Sequence, residues 1–368
     1  MKYRLLLIGL LLAAGLQCWA GKTDLQKKVG ASSSGISYTG RVWTASDGRV
    51  EFDWTGTYLQ TDFSGGGIAV DISDTGNDWF NVFIDDVLTK KIQVNSKTPV
   101  RIVLAEKLSR NFHRLRLQKC TEGNQGRTTI HAFYTTDKGK TAPVARKKRL
   151  IEVIGDSYTC GYGTEAASKD EKFKTETENC NQAYGCIVAR YFDADYVLVA
   201  HSGMGMSRNY GDKEMVSKQN MVERYLRVFD ESAELAYDFK AYKPDLVTIN
   251  LGTNDYSTGT GPQPATYADN YEKMIAQVRQ HYGLVPILCI IPHSAQEPLL
   301  KSIEEVKRRV KDMEKVYVAT AMPDIVSSEY DMGANWHPNY QGQRKIAMTL
   351  IPRISQIMEW PLENKTVK

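Results

Sequence analysis

The sequence predicts two successive folded units: an antiparallel β-sandwich of the jelly-roll type, followed by an α/β unit built on a parallel sheet. Three observations predict this fold class. Short alternating apolar segments, separated by turn-rich residues, run from residue 40 to residue 134. Apolar strand-like runs then alternate with helical patterns to residue 358. Between them, Lys138–Pro143 has the composition of a linker, so we place the units at residues 21–140 and 146–368.

Residues 1–20 have the composition of a secretory signal peptide. Two basic residues precede an apolar run from Leu5 to Leu16, and Ala20 would stand before the cleavage point. The run is shorter than the roughly 20 residues that span a bilayer, which argues against a membrane anchor. Lipid attachment at Cys18 is a further alternative, although the residue before it fits such a site poorly. The pattern therefore predicts a secreted or periplasmic protein.

The composition is that of an ordinary globular protein. Of its 368 residues, 42% are hydrophobic and 24% are charged, which excludes wholesale disorder. The net charge is +4 and both signs are mixed along the chain, so the sequence indicates no nucleic acid as partner. The cysteines beyond the predicted signal form an odd, sparse set that predicts no disulfide framework: Cys120, Cys160, Cys180, Cys186 and Cys289. A bridge between Cys180 and Cys186 stays open, although a helix predicted through Cys186 argues against it.

In the first unit, six segments with alternating apolar residues predict strands. They span residues 50–54, 68–72, 80–84, 100–104, 113–118 and 129–133. The same unit is rich in aromatic side chains, among them Trp43, Trp54, Tyr58, Trp79 and Phe80. These could form a sugar-stacking surface, but aromatic side chains dominate core burial, so we expect most of them to lie inside.

In the second unit, strands and helices are expected to alternate along the chain. The predicted strands span residues 149–154, 195–200, 244–251, 284–291 and 315–319. The predicted helices span residues 181–192, 217–240, 266–282, 298–314 and 340–358. A polar insertion, Glu165–Asn179, either bounds the substrate cleft or is a disordered excursion.

Four polar segments of this unit carry residue types that suit acyl transfer. Gly155-Asp-Ser157 ends the first strand with a serine hydroxyl, and the glycine-rich His201–Ser207 follows the second strand. Leu251–Asp255 follows the third strand and carries an amide side chain, and His337 precedes the last helix. A serine nucleophile needs such a base and such hydrogen-bond donors. The second glycine of the Gly-x-Ser-x-Gly elbow is absent, which disfavours the α/β-hydrolase layout.

Together these segments resemble a known family of esterases. The blocks Gly155-Asp-Ser157, Ser202-Gly-Met-Gly205, Gly252-Thr-Asn254 and His337-Pro338, in this order, resemble an SGNH hydrolase of the GDSL type. The longer block Asn335-Trp-His-Pro338 and the sandwich in front are similar to family 2 of the carbohydrate esterases. This resemblance implies a flavodoxin-like three-layer domain, no cofactor, and acetyl esterase activity on plant cell-wall polysaccharides such as xylan or glucomannan.

The resemblance also implies roles for individual residues. Ser157 would be the nucleophile, and His337 the general base and later the general acid. The oxyanion would be bound by the backbone N–H of Ser157, by a backbone N–H of the second block, and by the side chain of Asn254. Within the second block, Gly205 fits the family's Gly-x-Ser pattern better than Gly203, which stays the alternative.

One residue of the superfamily pattern is missing. The aspartate expected three residues before the histidine is replaced by Ala334, and Asp331 lies too far back to assume its role. We therefore expect a dyad in which Nδ1–H of His337 donates to the main-chain carbonyl of Asn335 or Trp336, or to the side-chain oxygen of Asn335. Family 2 enzymes vary at this position, so the resemblance does not imply inactivity.

Several other residues near these blocks have two interpretations each. Trp336 either belongs to the core or forms a wall of the acyl or sugar pocket, and Asp255 either braces its turn or lines that pocket. His201, His281 and His293 are expected to be structural or surface residues. None of them has a partner at metal-ligand spacing in the sequence, so we predict no metal.

Two alternative functions follow from the same features. A GDSL-type esterase or lipase for another acyl group would prefer longer aryl esters to acetyl esters. A carbohydrate-binding protein with a decayed active site would bind glycan without releasing acetate; the missing aspartate and the aromatic-rich sandwich suggest it. The sequence predicts no oligomeric state.

Overall fold

The structure is a computed structural model that describes residues 24–319, 322, 325–326 and 328–368. The predicted signal peptide, including Cys18, lies outside the described residues. Within the described part of the chain, no helix is both long and apolar enough to cross a bilayer.

Residues 24–142, all of them described, form a sandwich of two antiparallel sheets. Its strands are β1 (Lys27–Gly30), β2 (Ser37–Thr39), β3 (Trp43–Thr44), β4 (Val50–Phe52), β5 (Tyr58–Phe63), β6 (Ile68–Asp74), β7 (Asp78–Ile84), β8 (Val87–Val94), β9 (Val100–Ala105), β10 (His113–Lys119), β11 (Thr128–Thr135) and β12 (Thr141–Ala142). One sheet has the order β3-β4-β11-β6-β9 with β1 beside β11, and the other has the order β12-β5-β10-β7-β8 with β2 beside β5. Alternation places Phe63, Val70 and Val82 in the core between the sheets. The predicted antiparallel sandwich is confirmed.

Most of the aromatic residues of the sandwich are buried, but not all in its core. Phe80 lies between the two sheets, whereas Trp54 and Tyr58 are buried against the second unit. Trp43 is 38% exposed, and Trp79 is half-buried. These five side chains therefore do not form one sugar-stacking surface.

The second unit is built on a parallel sheet with helices on both faces. Its strands are β13 (Arg149–Gly155), β14 (Ala194–Ala200), β15 (Leu246–Asn250), β16 (Ile287–Cys289) and β17 (Val316–Val318), and a short ribbon pairs β18 (Met332–Gly333) with β19 (His337–Pro338). Its helices are α1 (Ser157–Cys160), α2 (Tyr184–Tyr191), α3 (Met221–Arg224), α4 (Pro264–Tyr282), α5 (Glu297–Val310) and α6 (Tyr340–Met358). The strand order β14-β13-β15-β16-β17 is flavodoxin-like, and it places ligands at the carboxyl ends of β13 and β15. The predicted α/β fold is confirmed.

The long helix predicted at residues 217–240 is wrong, because only α3 is helical there. The physical reason is a side chain from the sandwich. Arg41 is fully buried and donates to the carbonyl of Arg227 at 2.9 Å and to that of Tyr225. Carbonyls that a helix would pair internally are thus taken by a guanidinium, and the chain folds back instead.

The cysteines of the described residues are free and buried. Cys180 and Cys186, for which a bridge stayed open, do not form one: the thiol of Cys180 donates to the carbonyl of Lys119 at 3.2 Å. Helix α2 runs through Cys186, as predicted.

Candidate active site

The serine hydroxyl lies where β13 turns into α1. Gly155 is required there, because a Cβ on it would lie 2.0 Å from Oγ1 of Thr159. Asp156 caps α1 by accepting the N–H of Tyr158 at 3.1 Å, and burial raises the pKa of Asp156 to about 7. The first N–H groups of a helix have no intrahelical partner, and the N–H of Ser157 donates to no group of the described residues, so it can bind an oxyanion.

The imidazole of His337 contacts this hydroxyl across the carboxyl end of the sheet. Its Nε2 lies 2.9 Å from Oγ of Ser157, and its Nδ1 lies 3.1 Å from the carbonyl oxygen of Asn335. Burial lowers the pKa of His337, while hydrogen bonds to the backbone of Asn335 and Ala334 oppose this shift. A neutral ring that donates from Nδ1 leaves Nε2 free to accept the serine proton.

The acceptor for Nδ1 comes from a strained turn. Asn335 and Trp336 have φ values of 51° and 62°, the left-handed region that asparagine tolerates better than most residues. The side chain of Asn335 donates from Nδ2 to Oη of Tyr162 at 2.9 Å. Of the acceptors considered for Nδ1, the structure places the Asn335 carbonyl within hydrogen-bond distance.

Asp331 is engaged elsewhere. It is 4% exposed, and its Oδ2 accepts from Nζ of Lys345 at 2.6 Å. The backbone carbonyl of Asp331 accepts from the N–H of Asn339 at 2.9 Å, which ties the start of α6 to this turn. These contacts indicate a structural role for Asp331 next to the ribbon of β18 and β19.

The insertion Glu165–Asn179 bounds the site, in agreement with one of the two sequence interpretations. Its carbonyls at Lys169 and Glu171 accept the N–H groups of Trp336 and Asn335, at 3.2 and 3.0 Å. The sandwich holds it in turn, because Nζ of Lys91 lies 2.6 Å from Oε2 of Glu165. The disordered alternative is therefore wrong.

The second and third turns bring an N–H and an amide to the same edge of the sheet. A Cβ on Gly205 would lie 2.0 Å from the carbonyl oxygen of Arg208, so this position requires glycine. The N–H of Gly205 donates to Oδ1 of Asn209 at 3.1 Å. Nδ2 of Asn254 donates to the carbonyl of Met204 at 2.9 Å and more weakly to Asp156. An oxyanion would compete with these acceptors for both donors.

Asp255 braces the second turn, and the alternative that it lines the pocket is wrong. The residue is fully buried, and its carboxylate accepts the N–H groups of Met206, Ser207 and Arg208 at 2.9, 2.7 and 2.9 Å. Burial nevertheless raises the pKa of Asp255 to about 6. The shape of the glycine-rich turn that carries Gly205 thus depends on a carboxylate from the neighbouring strand end.

Aromatic rings surround the histidine, and most of them were not predicted. Trp336 is 58% exposed, so its interpretation as a core residue is wrong, and Nζ of Lys169 lies 4.4 Å from its ring centroid. The centroid of the Tyr162 ring lies 4.2 Å from that of His337, and the Phe173 ring stacks on Tyr162 at a centroid distance of 4.2 Å. Sequence reasoning gave no role to Tyr162, which lies in the block after Ser157, or to Phe173, which lies in the insertion.

His293 also lies beside the site. Its ring centroid is 4.9 Å from that of Tyr158, the residue after Ser157. Burial, followed by the nearby His337, lowers the pKa of His293 to about 4, so this ring is neutral at neutral pH.

His201 is buried, as the structural interpretation expected, but it does have acidic partners. Its Nδ1 lies 2.5 Å from Oδ2 of Asp230, and Glu231 is also within reach at 3.4 Å. Burial alone would lower the pKa of His201, but the charge and the hydrogen bond of Asp230 together outweigh burial and raise this pKa to about 9. A protonated imidazole has no lone pair for a metal, and Arg224 pairs with the same carboxylates. His281 instead stacks on Phe239 at 3.7 Å. The absence of a metal stays a prediction.

Comparison with known proteins agrees with this geometry. The family described as carbohydrate esterase 2 N-terminal matches residues 38–144, and the GDSL-like lipase/acylhydrolase family matches residues 153–345. Two solved structures of a family two carbohydrate esterase from Clostridium thermocellum cover 89% of this chain and 100% of their own. One, an active-site mutant, is 30% identical with a TM-score of 0.81; the other, in complex with cellohexaose, is 29% identical with a TM-score of 0.80. The chain belongs to family 2 of the carbohydrate esterases.

Curated relatives of this family 2 esterase carry related names. An acetylxylan esterase/glucomannan deacetylase from Cellvibrio japonicus is 28% identical, and the match covers 95% of this chain and 96% of the relative. The cellulase/esterase CelE from Acetivibrio thermocellus is 30% identical over 89% of this chain, but the match covers only 40% of CelE, which is longer. The family and the GDSL-like domain make this chain a carboxylic ester hydrolase.

Proposed function

We propose that this esterase removes O-acetyl groups from plant cell-wall polysaccharides or their oligosaccharides, of the xylan or glucomannan type, through an acyl-enzyme. The observation that carries the proposal is the 2.9 Å contact between Oγ of Ser157 and Nε2 of His337 at the carboxyl end of β13. A hydroxyl beside a neutral imidazole, with N–H donors at the same edge, is what acyl transfer requires.

The proposed reaction has two halves. Oγ of Ser157 attacks the acetyl carbonyl carbon while Nε2 of His337 takes the hydroxyl proton. The resulting oxyanion is bound by the N–H groups of Ser157 and Gly205 and by Nδ2 of Asn254. The bond to the sugar oxygen then breaks, and His337 returns its proton to that oxygen. In the second half, His337 deprotonates a water that attacks the acetyl-enzyme, acetate leaves, and Ser157 regains its proton.

In this dyad the carbonyl of Asn335 takes part of the role of a triad aspartate. It accepts Nδ1–H and fixes the tautomer in which Nε2 is the base. A neutral carbonyl cannot supply the full negative charge that a carboxylate offers to the imidazolium. The pKa of the half-buried ring is lowered, so the ring is neutral and able to accept a proton, but its protonated form is costly.

The substrate class rests on an exposed ring and on the relatives. Trp336, next to the base, presents a flat apolar face to solvent, and aromatic faces suit the apolar faces of sugar rings. The names acetylxylan esterase and glucomannan deacetylase, and a cellohexaose complex of a relative, support a glycan in this cleft. We extend the proposal to a secreted or periplasmic location, on the signal-like composition of residues 1–20.

Acetate release from a panel of acetylated glycans tests the proposal. Wild-type protein should release acetate from acetylated xylan or glucomannan, and Ser157→Ala should lower kcat by at least about a thousandfold. Unchanged release by the variant would contradict the mechanism. A preference for longer-chain aryl esters over acetyl esters would instead indicate another acyl group, and glycan binding without acetate release would indicate a binding protein.

A further inference from the structure

A loop of the sandwich inserts into the catalytic unit next to α1. We call this loop the wedge; it comprises residues 120–124, between β10 and β11. The carbonyl of Cys120 accepts the N–H of Cys180 at 3.3 Å. Gly123 passes so close to the catalytic unit that a Cβ on it would lie 2.6 Å from Oδ2 of Asp230. From this wedge, the side chain of Glu122 contacts two residues of the catalytic unit.

Glu122 joins two parts of the active site. The residue is 1% exposed, and its Oε2 accepts the N–H of Ser202 at 2.5 Å and the thiol of Cys160 at 3.5 Å. Ser202 opens the turn that carries Gly205, and Cys160 stands on α1, three residues after Ser157. One carboxylate thus connects helix α1, which begins with Ser157, to the turn that carries Gly205.

A second buried carboxyl lies against Glu122. Possible ligand atoms of Glu122, Cys160 and Glu178 lie within 4.8 Å of one another, and Glu178 is fully buried. Burial, followed by the charge of Glu122, raises the pKa of Glu178 well above its usual range. Glu178 is therefore the member of this pair whose carboxyl stays neutral at neutral pH.

Two cations near the wedge are paired, and Asp156 is a further buried carboxyl there, whose pKa is raised to about 7 by burial, Asp255 and Glu122. Lys119 forms an ion pair with Asp78, both fully buried. The cationic ring of His201 is paired with Asp230. The carboxylate of Glu122 itself accepts from an N–H and a thiol, and no cation is bonded to it among the described residues.

Among the described residues that face His337, no carboxylate contacts the ring to balance a positive charge on it. Tyr158 and Tyr162, whose pKa values burial raises, are neutral. His293, whose pKa burial lowers to about 4, is neutral as well. Burial lowers the pKa of His337, and the negative charge of Glu122 acts in the opposite direction.

We propose that Glu122 is a positioning residue through which the sandwich takes part in catalysis: it holds the Ser202–Gly205 turn against α1, and its charge stabilises the His337 imidazolium through space. The inference rests on the proposed Ser157–His337 chemistry. It assigns to the sandwich the electrostatic part of the role that the missing aspartate would have had.

The experiment separates charge from hydrogen bonding. Glu122→Gln keeps an oxygen that can accept from Ser202 but removes the charge. We expect kcat to fall roughly ten- to a hundredfold and the acid limb of kcat/KM to move to lower pH by about one unit, since one pKa unit corresponds to a tenfold change. Glu178→Gln is the matched control: its carboxyl is already neutral, so rate and acid limb should stay at their wild-type values. The double variant, in which charge cannot transfer to Glu178, should lose at least as much as Glu122→Gln.

Rates are measured with 4-nitrophenyl acetate from pH 4 to 9 and normalised to active sites counted with a phosphonate that labels serine. A rate loss in Glu122→Gln without movement of the acid limb, or an equal effect of Glu178→Gln, would overturn the inference. If Glu122→Gln does not fold, Glu122→Asp replaces it: an unmoved acid limb supports the role of the charge, and a moved limb contradicts it. Wild-type protein without activity would contradict the proposed function itself rather than the role of Glu122.

Discussion

Asn335 is the residue at which backbone conformation should decide activity. Its carbonyl accepts Nδ1–H of His337 at 3.1 Å, and its own φ of 51° places it in the left-handed region. That region costs a residue other than glycine or asparagine roughly 1–2 kcal/mol, and a β-branched residue more. In Asn335→Val, the turn either keeps its shape at this cost or relaxes and moves the carbonyl away from Nδ1.

The size of the effect follows from this strain. About 1.4 kcal/mol corresponds to a tenfold change in rate, so we expect kcat/KM of Asn335→Val to fall roughly ten- to a hundredfold if the turn relaxes. Asn335→Gly adopts the same φ without strain and loses only the hydrogen bond to Tyr162. Its kcat/KM should stay within about threefold of wild type.

The assay is kcat/KM with 4-nitrophenyl acetate, measured together with the thermal midpoint of each variant. Asp331→Asn is the control, because the carboxylate of Asp331 contacts Lys345. It should keep near-normal turnover. The roughly ten-thousandfold loss that follows change of a true triad aspartate would refute this reasoning if it appeared in Asp331→Asn. Equal activity and equal stability of the glycine and valine variants of Asn335 would refute it as well.

Two further predictions concern the oxyanion turn and pH. Gly205→Ala should lower kcat about a hundredfold or more with little change in KM, because its Cβ would lie 2.0 Å from the Arg208 carbonyl and displace the N–H. Gly203 has a φ of 80°, which costs an alanine roughly 1–2 kcal/mol, but its Cβ would meet only Tyr210 at 3.7 Å. Gly203→Ala should therefore lose less, and the reverse order would favour Gly203 as the donor. Because burial lowers the pKa of His337, the imidazole stays neutral at pH values where an ordinary histidine is already protonated. The acid limb of kcat/KM should therefore lie below pH 6.5, and a limb at or above pH 7 would contradict this sign.

The order of elements could be predicted because each carries its own periodic signal. The five strands of the parallel sheet and four of its helices follow from local apolar patterns, and all of them are present. The helix expected at residues 217–240 failed for a non-local reason. Arg41, more than 180 residues away along the chain, takes two of its carbonyls, and no pattern within the segment records that partner.

The active site also contains residues that local sequence patterns predict and residues that only the fold reveals. Ser157, Gly205, Asn254 and His337 stand in short blocks whose residue types carry the chemistry, so their assembly at one sheet edge could be anticipated. The groups that shape those blocks could not. Asp255 was singled out, but its three N–H partners lie on another turn, which only the fold brings near.

The missing aspartate is best understood as a division of one role between two parts of the chain. A triad aspartate both fixes the tautomer of its histidine and stabilises the positive charge that develops there. Here the carbonyl of Asn335 can do the first but not the second, since it carries no net charge. The second requires a buried anion that acts through a medium of low polarity, and we propose that Glu122, which accepts the thiol of Cys160 on α1, is that anion. On this argument, the sandwich belongs to the catalytic apparatus even if it never touches the glycan.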